Sequence, residues 1–284
     1  MKQDDARALY LRGLELCKLG DYEAAIIAAD QAIMKNEDYA EAWNIKGVAL
    51  GKLKNYQDAI TAYREANRAN PALTEAWYNK GVALYKSGDL EEAIDAYDQV
   101  VKINPAYAEA WNNKGIVLGD LGEYEDAIDA YNMAVKINAV FAEAWYNKGV
   151  ALGKLGKYSE AIATYDQVIK LNPFYGQAWN NKGIAQGRLG NFEGAVYAAD
   201  QAIKIDPDYA KAWYNKGVAL FKLDNYKEAM DATDQAIKID QDYAKAWSIK
   251  GEALLALNQA KDAKKCFNKA SKLDPDLAMP DLVN

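Results

Sequence analysis

The sequence predicts an all-α solenoid built from antiparallel helix pairs, and three regularities predict it. Seven tryptophans, Trp43, Trp77, Trp111, Trp145, Trp179, Trp213 and Trp247, recur every 34 residues. A glycine follows each of them four residues later, from Gly47 to Gly251, and Gly13 extends that series one period upstream. Five of the six prolines, Pro71, Pro105, Pro173, Pro207 and Pro275, keep the same phase. A fixed period of this length marks stacked supersecondary units rather than a domain around one core. With Trp set as position 4, residues 6–277 divide into eight repeats: 6–39, 40–73, 74–107, 108–141, 142–175, 176–209, 210–243 and 244–277. Residues 278–284 remain as a tail.

Within a repeat the order of elements follows from the apolar spacing. Positions 3, 4, 10, 11 and 14 are apolar, the pattern of a one-sided helix, as from Ala108 to Gly119. A turn such as Gly122-Glu123-Tyr124 stops that helix. A second helix follows, Glu125 to Ile137 in the same repeat, and in five of the repeats this helix ends before an Asn/Asp-Pro pair, because proline cannot continue the hydrogen bonding and biases its predecessor out of the helical region. Ala fills position 20 in all eight repeats, from Ala25 to Ala263. The Trp is expected to be a large knob beside the Gly hole through which the paired helix approaches. Aromatics at position 34 (Tyr39, Tyr107, Phe141, Tyr175, Tyr209, Tyr243) are expected to seal one repeat against the next.

Composition narrows the function classes. The 284 residues are 51% hydrophobic and 26% charged with a net charge of −7, which fits an ordered, water-soluble chain. There is no histidine, and the only cysteines are Cys17 and Cys266. A histidine relay, a His/Cys zinc site and a disulfide framework are therefore excluded, and no metal or other cofactor is expected. The acidic balance argues against nucleic-acid binding, which needs a clustered cationic surface. No glycine-rich phosphate loop and no nucleophile with a base beside it appear, so the chain is expected not to be an enzyme. Residues Met1 to Asp5 carry no apolar run that would serve as a signal peptide, and the expected compartment is the cytoplasm.

The repeated residues resemble the tetratricopeptide repeat over residues 6–277. The likeness rests on Trp-x-x-x-Gly, Ala at 20, Tyr at 24 (Tyr63, Tyr97, Tyr131, Tyr165), Ala at 27 and Pro at 32. The resemblance implies a right-handed superhelix whose first helices line a concave, peptide-receiving side. One departure is systematic: the family usually has Leu at position 7, where this chain has Lys46, Lys80, Lys114, Lys148, Lys182, Lys216 and Lys250. A lysine stem can cover apolar surface while its ammonium reaches water, so the fold should survive. The family's carboxylate clamp for chaperone tails is not expected, because position 9 is apolar and Lys211 with Asn215 supplies only one basic group.

On that first-helix face the candidate site is a column of asparagines at position 6: Asn79, Asn113, Asn147, Asn181 and Asn215. An asparagine offers donors and an acceptor together, so a column of them can grip an extended backbone, as the asparagine ladder of O-linked N-acetylglucosamine transferase repeat domains implies. A solvated consensus position without a ligand is the alternative. Val82, Ile116, Val150 and Ile184 form an apolar row at position 9. Tyr78, Tyr146 and Tyr214 alternate with asparagines at position 5, either as knobs for a bound peptide or as packing against the neighbouring repeat. Lys154 and Arg188 at position 13 belong to a charge gradient that runs from Glu41, Glu75, Glu109 and Glu143 to Lys211, Lys222 and Lys245. The expected function is a scaffold holding a peptide or partner helix in this groove. The alternatives are self-assembly through the solenoid ends or tail, and an idealised array without a ligand. The terminal repeats diverge, with Leu9 in place of Trp and with Ile249 and Glu252 at positions 6 and 9, as capping repeats must.

Overall fold

The computed structural model describes residues 2–277, and among them the secondary structure is helical throughout. The chain forms two compact units, one up to Ala144 and one from Trp145. The first holds α1 (Lys2–Leu19), α2 (Tyr22–Lys35), α3 (Ala40–Lys52), α4 (Tyr56–Ala69), α5 (Thr74–Ser87), α6 (Leu90–Ile103), α7 (Ala108–Asp120) and α8 (Tyr124–Ile137). Helix α9 (Ala142–Lys154) begins at the junction. The second unit continues with α10 (Tyr158–Leu171), α11 (Gly176–Arg188), α12 (Phe192–Ile205), α13 (Ala210–Lys222), α14 (Tyr226–Ile239), α15 (Ala244–Ala256) and α16 (Ala260–Leu273). In both units a first helix packs on its own second helix, and that second helix packs on the next repeat's first. The tail at 278–284, one of the expected routes to self-association, lies outside the described residues.

The buried interior is mostly alanine, with one buried tyrosine ring in each of repeats 2 to 5. The alanines at positions 3 and 20, such as Ala76, Ala110, Ala93 and Ala127, have no exposed surface, so helix backbones approach closely. Beside them the tyrosine at position 24 inserts its ring into the notch left by the glycine at position 8. A Cβ on Gly115 would lie 2.6 Å from Tyr131 Cε1, and one on Gly47 2.5 Å from Tyr63 Cε1. Tyr63, Tyr97 and Tyr131 are almost fully buried, whereas Trp43, Trp77 and Trp111 are only half-buried. The knob in the glycine hole is thus the tyrosine of the paired helix. The tryptophan holds a different contact.

That contact is in the link between repeats. Asn or Asp at position 31 leaves the helix and folds an Asx turn, its Oδ1 accepting the backbone N–H two residues on, as in Asn70 to Ala72 and Asn104 to Ala106. The tryptophan of the following repeat donates its indole N–H to the position 32 carbonyl: Trp77 to Pro71 at 2.9 Å, Trp111 to Pro105 at 3.1 Å and Trp213 to Pro207 at 2.9 Å. Trp43 and Trp247 do the same to Glu37 and Gln241, so the bond does not depend on proline.

The turn inside each repeat requires a left-handed residue at position 15. Gly20, Gly88, Gly122, Gly156 and Gly190 supply it without strain, but Lys54, Asp224 and Asn258 adopt φ of 63°, 59° and 62°. A side chain with a Cβ is disfavoured there by about 1 kcal/mol. Lys54→Gly is therefore expected to stabilise the chain by roughly 0.5–1 kcal/mol, read from the urea midpoint; an unchanged or lower midpoint would contradict the strain.

Burial also sets the alkaline limit. It pushes the phenols of Tyr63, Tyr97, Tyr131 and Tyr165 well above their ordinary value of 10.0. The folded chain then holds these protons after the unfolded chain has lost them, so their stabilisation is complete below pH 10.0 and is lost as pH rises beyond it. Unfolding free energy should fall steeply above that pH, and Tyr97→Phe should make the fall shallower. A pH titration of the urea midpoint checks both.

Candidate functional site

The face to be tested is formed by the first helices, where positions 2, 5, 6, 9, 12 and 13 share a side. Four asparagines of position 6 make hydrogen bonds that run between repeats. Asn79 Nδ2 donates to Asn44 Oδ1 at 3.2 Å, Asn113 Nδ2 to the Tyr78 hydroxyl at 3.0 Å, Asn181 Nδ2 to the Tyr146 hydroxyl at 3.1 Å and Asn215 Nδ2 to Asn180 Oδ1 at 2.8 Å. Each joins position 6 to position 5 of the preceding repeat. One amide hydrogen is thereby committed to the protein, and the second hydrogen and the oxygen's remaining lone pair are what such an asparagine can offer a ligand. Asn147 is half-buried in the same row.

The tyrosines at position 5 are held from two sides. Tyr78 stacks on Tyr107 and Tyr146 on Tyr175, and Tyr214 meets Tyr243 with the rings tilted, each pair with centroids 5.1 Å apart. Three of the position 34 aromatics thus meet a tyrosine of their own repeat, while Tyr39 and Tyr243 also pack in clusters that include residues of the next repeat, as expected of a seal. Burial raises the phenol of Tyr78, against the hydrogen bond from Asn113, and Glu109 and Glu143 add to the rise. The same ordering holds for Tyr107, where burial leads and Tyr78, Glu109 and Glu75 follow. Carboxylates from position 2 thus surround the groove tyrosines of the first unit. Its Tyr85 hydroxyl also donates to Asp120 Oδ2 at 2.7 Å.

The apolar row at position 9 is half-buried at Val82, Ile116 and Val150 and opens at Ile184, which is 40% exposed. In the second unit it lines two cavities. Val150, Lys154, Asn181, Ile184 and Arg188 line one of about 390 Å³ together with Tyr158 and Tyr165. Ile184, Arg188, Tyr214 and Asn215 line another of about 600 Å³, joined there by Lys222, Tyr243 and Lys245. The basic half of the predicted gradient is thus gathered around these cavities. Burial raises the Glu252 carboxyl, opposed by a hydrogen bond from Ser248 and by Lys222, so this acid lies near the same cations. Tyr243, pushed up to about 12 by burial and then by Tyr214, completes the wall.

Sequence reasoning missed Lys222, Lys245, Tyr243 and Ala199 as lining residues. The signal for Ala199 was visible as a break in the row of tyrosines at position 24. The cations at positions 2 and 13 were read only as a gradient, because their convergence needs two helices side by side.

On the opposite face the unusual lysines are explained. Each ammonium lies 5.0–5.8 Å from the centroid of the indole three residues earlier, from Lys80 over Trp77 to Lys114 over Trp111. Five also pair with an aspartate at position 25 of the preceding repeat: Lys46 with Asp30 at 2.7 Å, Lys182 with Asp166 at 2.6 Å, Lys216 with Asp200 at 2.7 Å, and Lys114 and Lys250 with Asp98 and Asp234. Repeat 2 has Arg64 at that position, and its charge together with burial, the larger effect, lowers the Lys80 ammonium below its ordinary value. Lys114→Met should therefore destabilise by about 0.5–1 kcal/mol, whereas Lys80→Met should be neutral or stabilising. Thermal midpoints of the two variants decide it, and equal losses would contradict the pairing.

The geometry is that of a solenoid repeat protein built from antiparallel helix pairs. Tetratricopeptide repeat models match residues 10–74, 49–108, 78–139, 112–174 and 146–210, and further ones match 210–243 and 244–277. The chain belongs to the tetratricopeptide repeat family, whose members generally serve as protein-interaction scaffolds. A comparison with curated proteins gives no sequence match. Among solved structures it is similar to YrrB, described as a TPR protein with an unusual peptide-binding site, at 24% identity and TM-score 0.60, covering 66% of this chain and 97% of that one. It is also similar to MamA at 27% identity and TM-score 0.56, covering 58% and 96%. A tetratricopeptide repeat protein from Parabacteroides merdae aligns at 20% identity and TM-score 0.64 over 83% and 93%.

Proposed function

We infer that the chain is a non-catalytic scaffold that holds an extended peptide, or a partner's helix, along the first-helix groove. The observation that carries this reading is the gathering of Asn181, Ile184 and Arg188 with Val150 and Lys154 around one cavity, from helices a full repeat apart. Backbone-directed amides, an apolar row and cations together suit a peptide better than a small apolar ligand. The description of YrrB as having a peptide-binding site is consistent with it. Two free thiols, Cys17 half-buried and Cys266 buried, fit the cytoplasm as its compartment. No helix among the described residues is long and apolar enough to cross a membrane.

The test is the triple variant Asn113→Ala, Asn147→Ala, Asn181→Ala. Against a partner recovered by affinity capture, affinity should fall about tenfold or more, with circular dichroism unchanged. Unchanged affinity with an unchanged fold would sink the ladder.

A further inference from the structure

The two cavities of the second unit are the same wall seen one repeat apart. In the smaller, Lys154, Tyr158 and Tyr165 face Asn181, Ile184 and Arg188. Advancing by 34 residues gives Arg188, Phe192 and Ala199 facing Asn215, Val218 and Lys222, and all six line the larger one. The main loss from this wall is the phenol at position 24. The volume rises from about 390 to about 600 Å³, and the lining now reaches down to Gly183 and Ala195. In repeat 5 a Cβ on Gly149 would meet the Tyr165 ring at 2.6 Å, whereas around Gly183 the nearest atoms are Ala195 O and Ala198 Cβ at 3.2 Å.

Elsewhere a missing ring is replaced. In repeat 1, which carries Ala29, the next repeat supplies the buried Ile45, whose Cγ2 lies 3.5 Å from the Cβ position of Gly13. In repeat 7 Thr233 Cγ2 reaches 2.6 Å from that of Gly217, and in repeat 8 Phe267 fills the notch. Repeat 6 alone combines alanine at position 24 with asparagine, Asn215, at position 6 of its successor. No ring enters its notch, and Gly183, Ala195 and Ala199 line the base of the larger cavity, with Ala195 O and Ala198 Cβ 3.2 Å from the Cβ position of Gly183.

The shape and chemistry of the opening name its occupant. We propose that the pocket at Ala199 receives a tyrosine side chain of a bound peptide, flanked in that peptide by acidic residues. The ring would take the place that four sister repeats fill with their own tyrosine. In those repeats Asn113 and Asn181, which donate to the Tyr78 and Tyr146 hydroxyls, also act to lower the phenols of Tyr97 and Tyr165, and Asn215 stands at the equivalent position here. Arg188, Lys222 and Lys245 around the rim outnumber the nearby Glu252, so carboxylates beside the tyrosine find cationic partners. This assignment rests on the groove being a peptide site and adds to it the side chain selected.

The probe is a fluorescein-labelled peptide, Gly-Asp-Glu-Tyr-Glu-Asp-Gly, titrated with the full chain by fluorescence anisotropy. Saturable binding is expected, weakened about tenfold or more when the peptide tyrosine becomes alanine, when its acids become lysines, or when the protein carries Ala199→Tyr. That substitution restores the sister-repeat residue, so the variant should fold and show a raised thermal midpoint, which verifies that the notch is filled. A second variant, Lys222→Glu with Lys245→Glu, should weaken binding without filling the pocket. No binding by the native chain, or binding that survives Ala199→Tyr in a folded protein, overturns the pocket. If the peptide binds, survives Ala199→Tyr and is lost in the triple asparagine variant, the pocket falls while the groove reading stands.

Discussion

Repeats 2 to 5 are each organised by one contact, an aromatic ring from the second helix seated in a notch that only glycine leaves on the first. The fit fixes the distance between paired helices, because a single added carbon would overlap the ring at Gly47, Gly81, Gly115 or Gly149. Close approach leaves room only for alanine at position 20 beside the glycine, and alanines at position 27 pack against position 3 of the next repeat, as Ala32 does on Ala42 and Ala236 on Ala246. It also buries the phenols from water. The depth of the groove follows from the same contact, since the ring that seals the helix pair also forms the floor of the face lined by the first helices. Where the ring is missing and nothing replaces it, the floor drops, and repeat 6 has a pocket where its neighbours have a wall.

Successive repeats are held in register by three polar contacts that surround this apolar seam. The indole N–H ties the start of one repeat to the carbonyl that ends the previous one. A lysine lies over that indole and in five cases pairs with an aspartate of the previous second helix. On the groove side, the asparagine at position 6 donates to position 5 of the repeat before. Each contact is modest in energy and recurs with the period, as expected of a quasi-one-dimensional array stabilised by nearest-neighbour terms. The replacement of the family's leucine by lysine is then tolerable, because its stem covers the tryptophan and its charge has an acceptor.

The asparagine column shows how a sequence pattern can place residues on one helix face without revealing what they touch. Its placement along one face was legible from the 34-residue period. That the amide is partly spent on Asn44, Tyr78, Tyr146 or Asn180 was not, because those partners lie 35 residues away and are brought within 3.2 Å only by repeat stacking. The same reasoning covers the tyrosines at position 5. Their alternation is plain in the sequence, whereas their stacking on position 34 depends on how the chain turns between repeats. In the second unit Arg188, Lys222 and Lys245 come from three helices and meet around one cavity, and no spacing rule within a single helix would have assembled them.

The sequence by itself determined the helix pairs, their boundaries to within a residue or so and the face that forms the groove. These depend on local periodicity, on residues that start and stop helices, and on a pattern repeated often enough to cancel local noise. Only the tertiary structure decided which aromatic fills the glycine notch, what the lysines touch and where the groove deepens. Those outcomes are set by distances between helices, and the absence of one tyrosine acquires meaning only when the neighbouring residues fail to close over the gap.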